Sequence, residues 1–180
     1  MTSDFFQKMK GVSKAPPAPR GSEILLAFAG SCTAMVIIGL FHNFFFRSTG
    51  GLPLIMAPLG ASAVLVFGAM RSPLAQPRNV IGGHVISALI GVTVYQIVGD
   101  SQLLAFSLAV PSAIAAMHRT GTLHPPGGAT AFVTAAGGAS VHQWGYWYVL
   151  SPCLLGGGIM ILIALVVNNL PKEQRYPQFW

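Results

Sequence analysis

Long apolar runs, separated by short polar segments, dominate this chain. A helix that crosses a bilayer needs roughly 20 mostly apolar residues. Four runs are long enough and two are shorter. The long runs are Ile24–Phe46, Leu52–Met70, Val80–Val98 and Trp147–Val167, and the shorter runs are Gln102–Met117 and Gly127–Val141. This pattern predicts an all-α polytopic membrane protein with five or six membrane-embedded segments.

An eight-residue motif occurs twice along this pattern. Pro58–Leu65 (PLGASAVL) and Pro126–Val133 (PGGATAFV) share four identical residues. Each copy follows one apolar run and precedes another, so the order is span, motif segment, span in both halves. Three segments per half predict two inverted-topology repeats, over about 24–98 and 102–167, with the motifs forming half-helices. The alternative is chance similarity between segments rich in small residues.

Composition and charge agree with a membrane location. The chain is 53% hydrophobic and 8% charged, whereas soluble domains carry about 25% charged residues. With six crossings and an internal N-terminus, nine of the ten Lys and Arg residues fall in inner segments, and only Arg47 lies outside. This asymmetry predicts that both termini are cytoplasmic. An arrangement of four crossings and two half-helices would also place both termini in the cytoplasm.

The segments outside the membrane are short. We predict a flexible cytoplasmic N-terminal arm over residues 1–21, a transmembrane domain over 22–170 and a cytoplasmic tail over 171–180. The arm is polar, basic and Pro-rich, and cannot bury enough apolar surface to fold alone. The expected location is a bacterial inner membrane.

Several classes of function are disfavoured by what the sequence contains. The net charge is +6, but no basic run is interleaved with aromatic residues, so nucleic acid is not an expected partner. The two cysteines are not clustered with histidine, and we predict neither a metal site nor a cofactor. Phosphate loops, Ser-His-Asp order and paired carboxylates are also missing, so we predict that the protein is not an enzyme.

The repeated motif predicts an anion site. Proline favours the first turn of a helix, and a helix N-terminus offers unpaired N–H groups and partial positive charge. Two such ends meeting within the membrane could bind a small anion. The residues assigned to this site are Gly60, Ala61, Ser62, Gly127, Gly128, Ala129 and Thr130. The alternative is close helix packing through small residues.

Histidine and arginine residues supplement the motif. His84 lies within an apolar run, where an ionisable group is a functional candidate, although a structural histidine is an equally open interpretation. His124 directly precedes the second motif and joins His84 in the predicted binding site. Arg78 and Arg119 lie in inner loops, where they could attract anions or simply mark the cytoplasmic side. The only acidic residues lie outside the spans: Asp4, Glu23, Asp100 and Glu173. This placement favours an anion or a neutral solute over a cation.

Two stretches of the chain resemble the HPP family of integral membrane proteins. One is His124–Ala131 (HPPGGATA), which contains the tripeptide that names the family. The other comprises Pro58–Ala63, Ser72–Asn79 and Gly82–His84. The resemblance implies a small membrane protein, commonly described with four spans, whose plant and cyanobacterial relatives are associated with nitrite transport.

Residues and resemblance together predict passage of a small monovalent anion, with nitrite as the first candidate. Two alternatives remain open: a channel for a neutral small solute, and a non-transporting membrane subunit or lipid-handling enzyme. Besides the anion and the lipid bilayer, the Gly-rich spans suggest a second copy of the chain as a partner, in a homo-oligomer.

Overall fold

The computed structural model of the protein describes residues 2–45 and 56–180, with side chains from residue 5. All regular elements in these ranges are helical. Two ends of the predicted apolar runs, Phe46 and Leu52, lie outside the described residues. Arg47, in the loop between these runs, also lies outside them. The elements are α1 (Thr2–Lys8), α2 (Gly21–Phe45), α3 (Ala57–Ala63) with a π-helical continuation (Val64–Gly68), a 3-10 turn (Pro73–Ala75), α4 (Pro77–Val98), α5 (Gln102–Thr120), α6 (Pro125–Ala136), α7 (Ala139–His142), a π-helical segment (Val149–Gly156) and α8 (Gly157–Val167).

Four helices of the described residues are long and apolar enough to cross a membrane. They are α2, α4, α5 and the continuous helix Val149–Val167. The described chain therefore confirms an all-helical protein with candidate membrane spans. The order of a long, a short and a long helix occurs twice, but an inverted relation between the two halves stays a prediction.

Two of the predicted spans have the wrong length. Within the described part of the predicted span Leu52–Met70, which begins at Met56, the helix covers Ala57–Gly68, because extended backbone at Met56 precedes it and the non-helical Ala69 follows it. The weaker run at Gln102–Met117 instead forms the full-length α5, which accommodates Pro111 within it. The run at Gly127–Val141 yields the 12-residue α6, and Gly138 then takes a positive φ of 74°.

Helices α4, α5 and α6 form a tightly packed group built on small residues. Ala105, Ala109 and Ala113 of α5 are buried against Ala131 and Ala135 of α6. Small side chains at a spacing of four let the helix backbones approach closely, as is typical of helix packing in membranes.

Glycines on α4 show that it runs in the same direction as α6. A Cβ at Gly83 would lie 2.5 Å from the Cβ of His124, and a Cβ at Gly91 would lie 1.9 Å from Oγ1 of Thr134. Residue numbers therefore increase in the same direction along both helices at their contact. This contact leaves no room for a side chain at either glycine.

Helix α2 packs more loosely on the other side of the molecule. Its buried residues are Gly30, Ala34 and Ile38, which share one face of the helix because they are four positions apart. Large apolar side chains such as Phe28 are exposed, as expected for a helix whose other faces contact lipid.

The C-terminal segment is attached to the turn that precedes α4. The Tyr176 hydroxyl donates to the Ala75 carbonyl at 2.7 Å, and the Gln178 amide donates to Oε1 of Gln76 at 2.7 Å. Burial raises the pKa of the Tyr176 phenol above its usual value. In the N-terminal arm the structure has the short helix α1, while the flexibility of the arm stays a prediction.

Candidate functional site

Each motif copy begins a short helix, as the sequence predicts. Met56 precedes α3 and His124 precedes α6, both in extended conformation, and proline occupies the first turn of each helix. Proline fits there because its fixed φ matches the helix and its missing N–H costs no hydrogen bond.

The expectation that these helix starts offer free N–H groups to an anion is wrong for α6. Pro125 and Pro126 have no N–H, and the Gly127 N–H donates to the His124 carbonyl at 2.8 Å. In α3, Pro58 also lacks an N–H, and the Leu59 N–H donates to the Met56 carbonyl at 3.0 Å. Proline therefore removes two N–H donors from the start of α6 and one from the start of α3.

Side chains supply the polar groups of the site instead. Oγ of Ser62 lies 2.7 Å from Nε2 of His84 and 2.8 Å from Nε2 of His124. Nδ1 of His84 lies 2.7 Å from Oγ1 of Thr130, and Nδ1 of His124 lies 2.8 Å from the Leu74 carbonyl oxygen. We call Ser62, His84, His124 and Thr130 the polar chain; all four are fully buried, at 0% exposure.

The polar chain joins three helices at the two motif copies. Ser62 and Thr130 occupy equivalent positions of the eight-residue motif, the fifth in each copy, and both bond to the same imidazole, that of His84 on α4. Each hydroxyl also lies 3.2 Å from the carbonyl of the motif's own proline, Pro58 or Pro126. The two motifs therefore meet through side chains around one histidine.

Glycine residues make this meeting possible. A Cβ at Gly127 would lie 2.9 Å from both the Gly83 carbonyl oxygen and Oγ of Ser87. Because neither Gly127 nor Gly83 carries a side chain, α6 lies directly against α4, and His124 comes within 5.0 Å of His84, measured between ring centroids.

The other residues assigned to the site lie apart from the polar chain. Gly60, Ala61 and Ala129 are on exposed faces of their helices, and Gly60 lines an apolar groove of about 440 Å³ between α2 and α3. Gly128 is partly buried, and a Cβ there would reach only Val110 of α5, at 4.0 Å. The structure thus brings together the hydroxyl and imidazole residues but not these small ones.

The two arginines have different surroundings. Nη2 of Arg78, at the start of α4, donates to the Thr120 carbonyl at 2.8 Å, which places a cation at the C-terminal end of α5, where the helix dipole favours positive charge. Arg119 is exposed in the last turn of α5. Arg78 therefore joins two helix ends, whereas Arg119 faces the surroundings.

Sequence reasoning missed the residues that fix the backbone next to the polar chain. Buried Gln76 donates to the carbonyls of Met70 and Ser72, which shapes the turn that presents the Leu74 carbonyl. Nδ2 of Asn79 donates to the Leu123 carbonyl at 2.9 Å and so fixes the residue before His124. The sequence signal for these residues is the stretch Ser72–Asn79, which resembles the family pattern.

The chemistry of the site is that of hydroxyl and imidazole groups. A serine hydroxyl beside a histidine is also a nucleophile arrangement, but Ser62 is fully buried and bonds to two histidines at once. Within residues 2–45 and 56–180, His, Cys, Asp and Glu side chains do not gather in groups of three or more that could hold a metal ion.

Comparison with known proteins supports the family resemblance. The family model described as "HPP, transmembrane region" matches residues 16–177. Two curated proteins of Dictyostelium discoideum, both described only as transmembrane proteins, are 38% identical to the chain over 182 and 184 aligned positions, with 98% of the chain covered in each case. The chain spans 57% and 63% of the length of these relatives. No solved structure matches the chain significantly. From the match to the family model, we conclude that this chain belongs to the HPP family of transmembrane proteins.

Proposed function

We propose that this membrane protein passes a small monovalent anion across the bilayer at the polar chain, with nitrite as the first candidate. The observation that supports this proposal is the burial of four polar residues in one continuous set of hydrogen bonds: Ser62, His84, His124 and Thr130. Polar and ionisable groups at membrane depth are expensive and usually serve ion or substrate pathways.

The charges around the site favour an anion over a cation. The four acidic residues of the chain are Asp4, Glu23, Asp100 and Glu173, and none of them belongs to the polar chain. A cation pathway typically contains carboxylates. Hydroxyl and imidazole N–H groups, which bond within the polar chain in this structure, are donors that can turn to an anion when those bonds open. Arg119, exposed near the end of α5, raises the local potential for an anion.

Nitrite is proposed from the family resemblance and from its size and charge. A triatomic monoanion needs few donors, and the polar chain offers hydrogen-bonding atoms over a short distance. The neutral-solute channel and the non-transporting subunit or lipid-handling enzyme are outcomes that the following experiment separates from anion passage.

The test is nitrite flux into vesicles that contain the purified full chain. We expect Thr130→Val to lower the flux roughly tenfold or more, because it deletes the hydroxyl at 2.7 Å from His84 and leaves a buried imidazole nitrogen without its partner, at a cost of about 1–3 kcal/mol. Thr130→Ser should retain the flux, because it keeps the hydroxyl group.

The matched control is Thr93→Val. This residue lies on α4, is exposed, and its hydroxyl bonds to the Leu89 carbonyl and to Tyr146, away from the polar chain. Flux of wild-type size in folded Thr130→Val protein would contradict the site. Flux of neutral solutes but not of nitrite would support the neutral channel, and the absence of any flux would favour the non-transporting alternative.

A further inference from the structure

The hydrogen bonds of the polar chain have a single direction when both histidines are neutral and each ring nitrogen is paired. Ser62 and Thr130 can direct their hydrogens to these nitrogens because the hydroxyls lie nearer to them, at 2.7–2.8 Å, than to the carbonyls of Pro58 and Pro126, at 3.2 Å. The Leu74 carbonyl only accepts, so Nδ1 of His124 carries the hydrogen and Nε2 of His124 accepts one from Ser62. Because the Ser62 hydrogen is used there, the bond between Ser62 and His84 must use the hydrogen on Nε2 of His84. Nδ1 of His84 then accepts from Thr130. Every bond therefore donates from Thr130 towards Leu74.

Only one imidazole of the polar chain would carry a positive charge at a time. The rings of His84 and His124 lie 5.0 Å apart, and two positive charges at that separation in a buried site repel strongly. Around the rings, α3 contributes Ser62, α6 contributes Thr130, and the turn before α4 contributes the Leu74 carbonyl. On the α8 side, Gly157 lies against His84. Among these described groups only the two imidazoles titrate.

From this geometry we infer that the polar chain is a proton relay and that the transported anion moves together with one proton. The inference rests on the proposed function, since it assigns the charge that accompanies the anion. The relay ends on His124, and this residue carries the positive charge that attracts the anion. Without such a proton the site offers no full positive charge, because Ser62, Thr130 and neutral imidazoles are uncharged.

The relay balances at every step. A proton binds to Oγ1 of Thr130, and the original hydroxyl hydrogen moves to Nδ1 of His84. The hydrogen on Nε2 of His84 moves to Oγ of Ser62, and the Ser62 hydrogen moves to Nε2 of His124. Each step breaks one O–H or N–H bond and forms another, and no electrons are lost. His124 is then a cation that donates to Ser62 and to the Leu74 carbonyl.

A small cavity beside Thr134, one helical turn beyond Thr130, is the place from which we expect the proton to enter the relay. It measures about 50 Å³ and is lined in part by Thr134, Tyr95 and His142, and Thr134 lies one helical turn beyond Thr130 on α6. Nε2 of His142 is buried and has no hydrogen-bond partner among residues 2–45 and 56–180. A polar cavity of this size holds a water molecule, which would supply the missing partner and bring protons to the α6 end of the relay.

The experiment measures nitrite uptake and internal pH together, in vesicles of the full chain with a pH-sensitive dye inside and the membrane potential clamped. Protein-free vesicles give the diffusion of nitrous acid through lipid. We expect one proton to enter with each nitrite, no dependence on membrane potential, and a protein-dependent flux that rises as the outside pH falls, because each anion needs one proton from that side.

Two outcomes of this measurement overturn the relay in distinguishable ways. Nitrite flux that is driven by membrane potential without acidification would leave the proposed function intact and refute the proton relay. The absence of nitrite flux at every pH and potential would refute the proposed function itself, and the coupled movement with it.

Variants separate a relay from passage of nitrous acid. Ser62→Ala interrupts the relay at its centre and should lower the proton-coupled flux roughly tenfold, Ser62→Thr should restore it, and Thr93→Val should leave it unchanged. Wild-type coupled flux in folded Ser62→Ala protein would overturn the relay. His124→Gln gives a second reading if Ser62→Ala does not fold: it should abolish the rise of flux at low pH, and a retained rise would overturn the assignment.

Discussion

At the scale of single residues, the polar chain shows how one side chain serves two motifs. His84 has two ring nitrogens, and each binds the hydroxyl of one motif copy, Ser62 on one side and Thr130 on the other. Since both nitrogens of the imidazole are used, the ring is fixed in orientation, while its hydroxyl partners can either donate or accept a hydrogen.

The two arginines allow a residue-scale prediction. Arg119→Gln should lower nitrite flux about twofold to threefold at low salt, and the difference should vanish at about 1 M salt, where charges are screened beyond about 3 Å. Arg78→Gln should instead lower stability by about 1 kcal/mol, since it removes the bond to the Thr120 carbonyl. Flux over a salt series and thermal unfolding in detergent measure the two effects. A loss of flux in Arg119→Gln that persists at high salt would contradict electrostatic attraction.

At the scale of helices, the structure depends on glycines that let backbones touch. Gly91→Ala would place a Cβ 1.9 Å from Oγ1 of Thr134 and 2.7 Å from the Ala131 carbonyl oxygen. We expect a loss of stability of about 1–3 kcal/mol, as is usual for overpacking, visible as a lower midpoint of thermal unfolding. Gly158→Ala is the control, because nothing lies within 4 Å of a Cβ there. Equal midpoints for the two variants would contradict the close contact of α4 and α6.

Much of this helical arrangement follows from the sequence, and the exceptions have physical causes. Apolar runs and proline-led motifs located the helices, including the starts of α3 and α6. The length of the helix at Ala57–Gly68 was overestimated because hydropathy continues through Ala69 and Met70, where the backbone leaves the helix. The expectation of free N–H groups at the start of α6 was wrong because Pro125 and Pro126, which begin this helix, have no N–H to donate.

The polar chain itself could be anticipated only in part. Ser62, His84, His124 and Thr130 stand out in the sequence as polar residues in apolar or motif segments. Their mutual contacts depend on the close approach of α4 and α6, which no local pattern specifies. The Leu74 carbonyl is a backbone atom placed by the turn at Pro73–Ala75, and the direction of the hydrogen bonds rests on it.

At the scale of the whole molecule, the basic segments gather at one end. Arg78 at the start of α4 bonds to the end of α5, and the C-terminal segment bonds to the turn before α4. Arg20 of the N-terminal arm lines one small cavity together with Arg71 and Gln174. The turn at Asp100 lies at the opposite end of α4. The gathering of these described basic residues at one end is what the positive-inside rule predicts for a cytoplasmic face.

Sidedness can therefore be tested by labelling single cysteines in intact cells and in opened membranes. In a background of Cys32→Ser and Cys153→Ser, we expect Ser13→Cys and Lys172→Cys to react with an impermeant thiol reagent only after the membrane is opened. Ser101→Cys, in the turn between α4 and α5, should react in intact cells. Labelling of Ser101→Cys and Lys172→Cys from the same side would contradict the arrangement of the spans. The reverse pattern would keep the spans but invert the molecule, and the Leu74 end of the polar chain would then face outward.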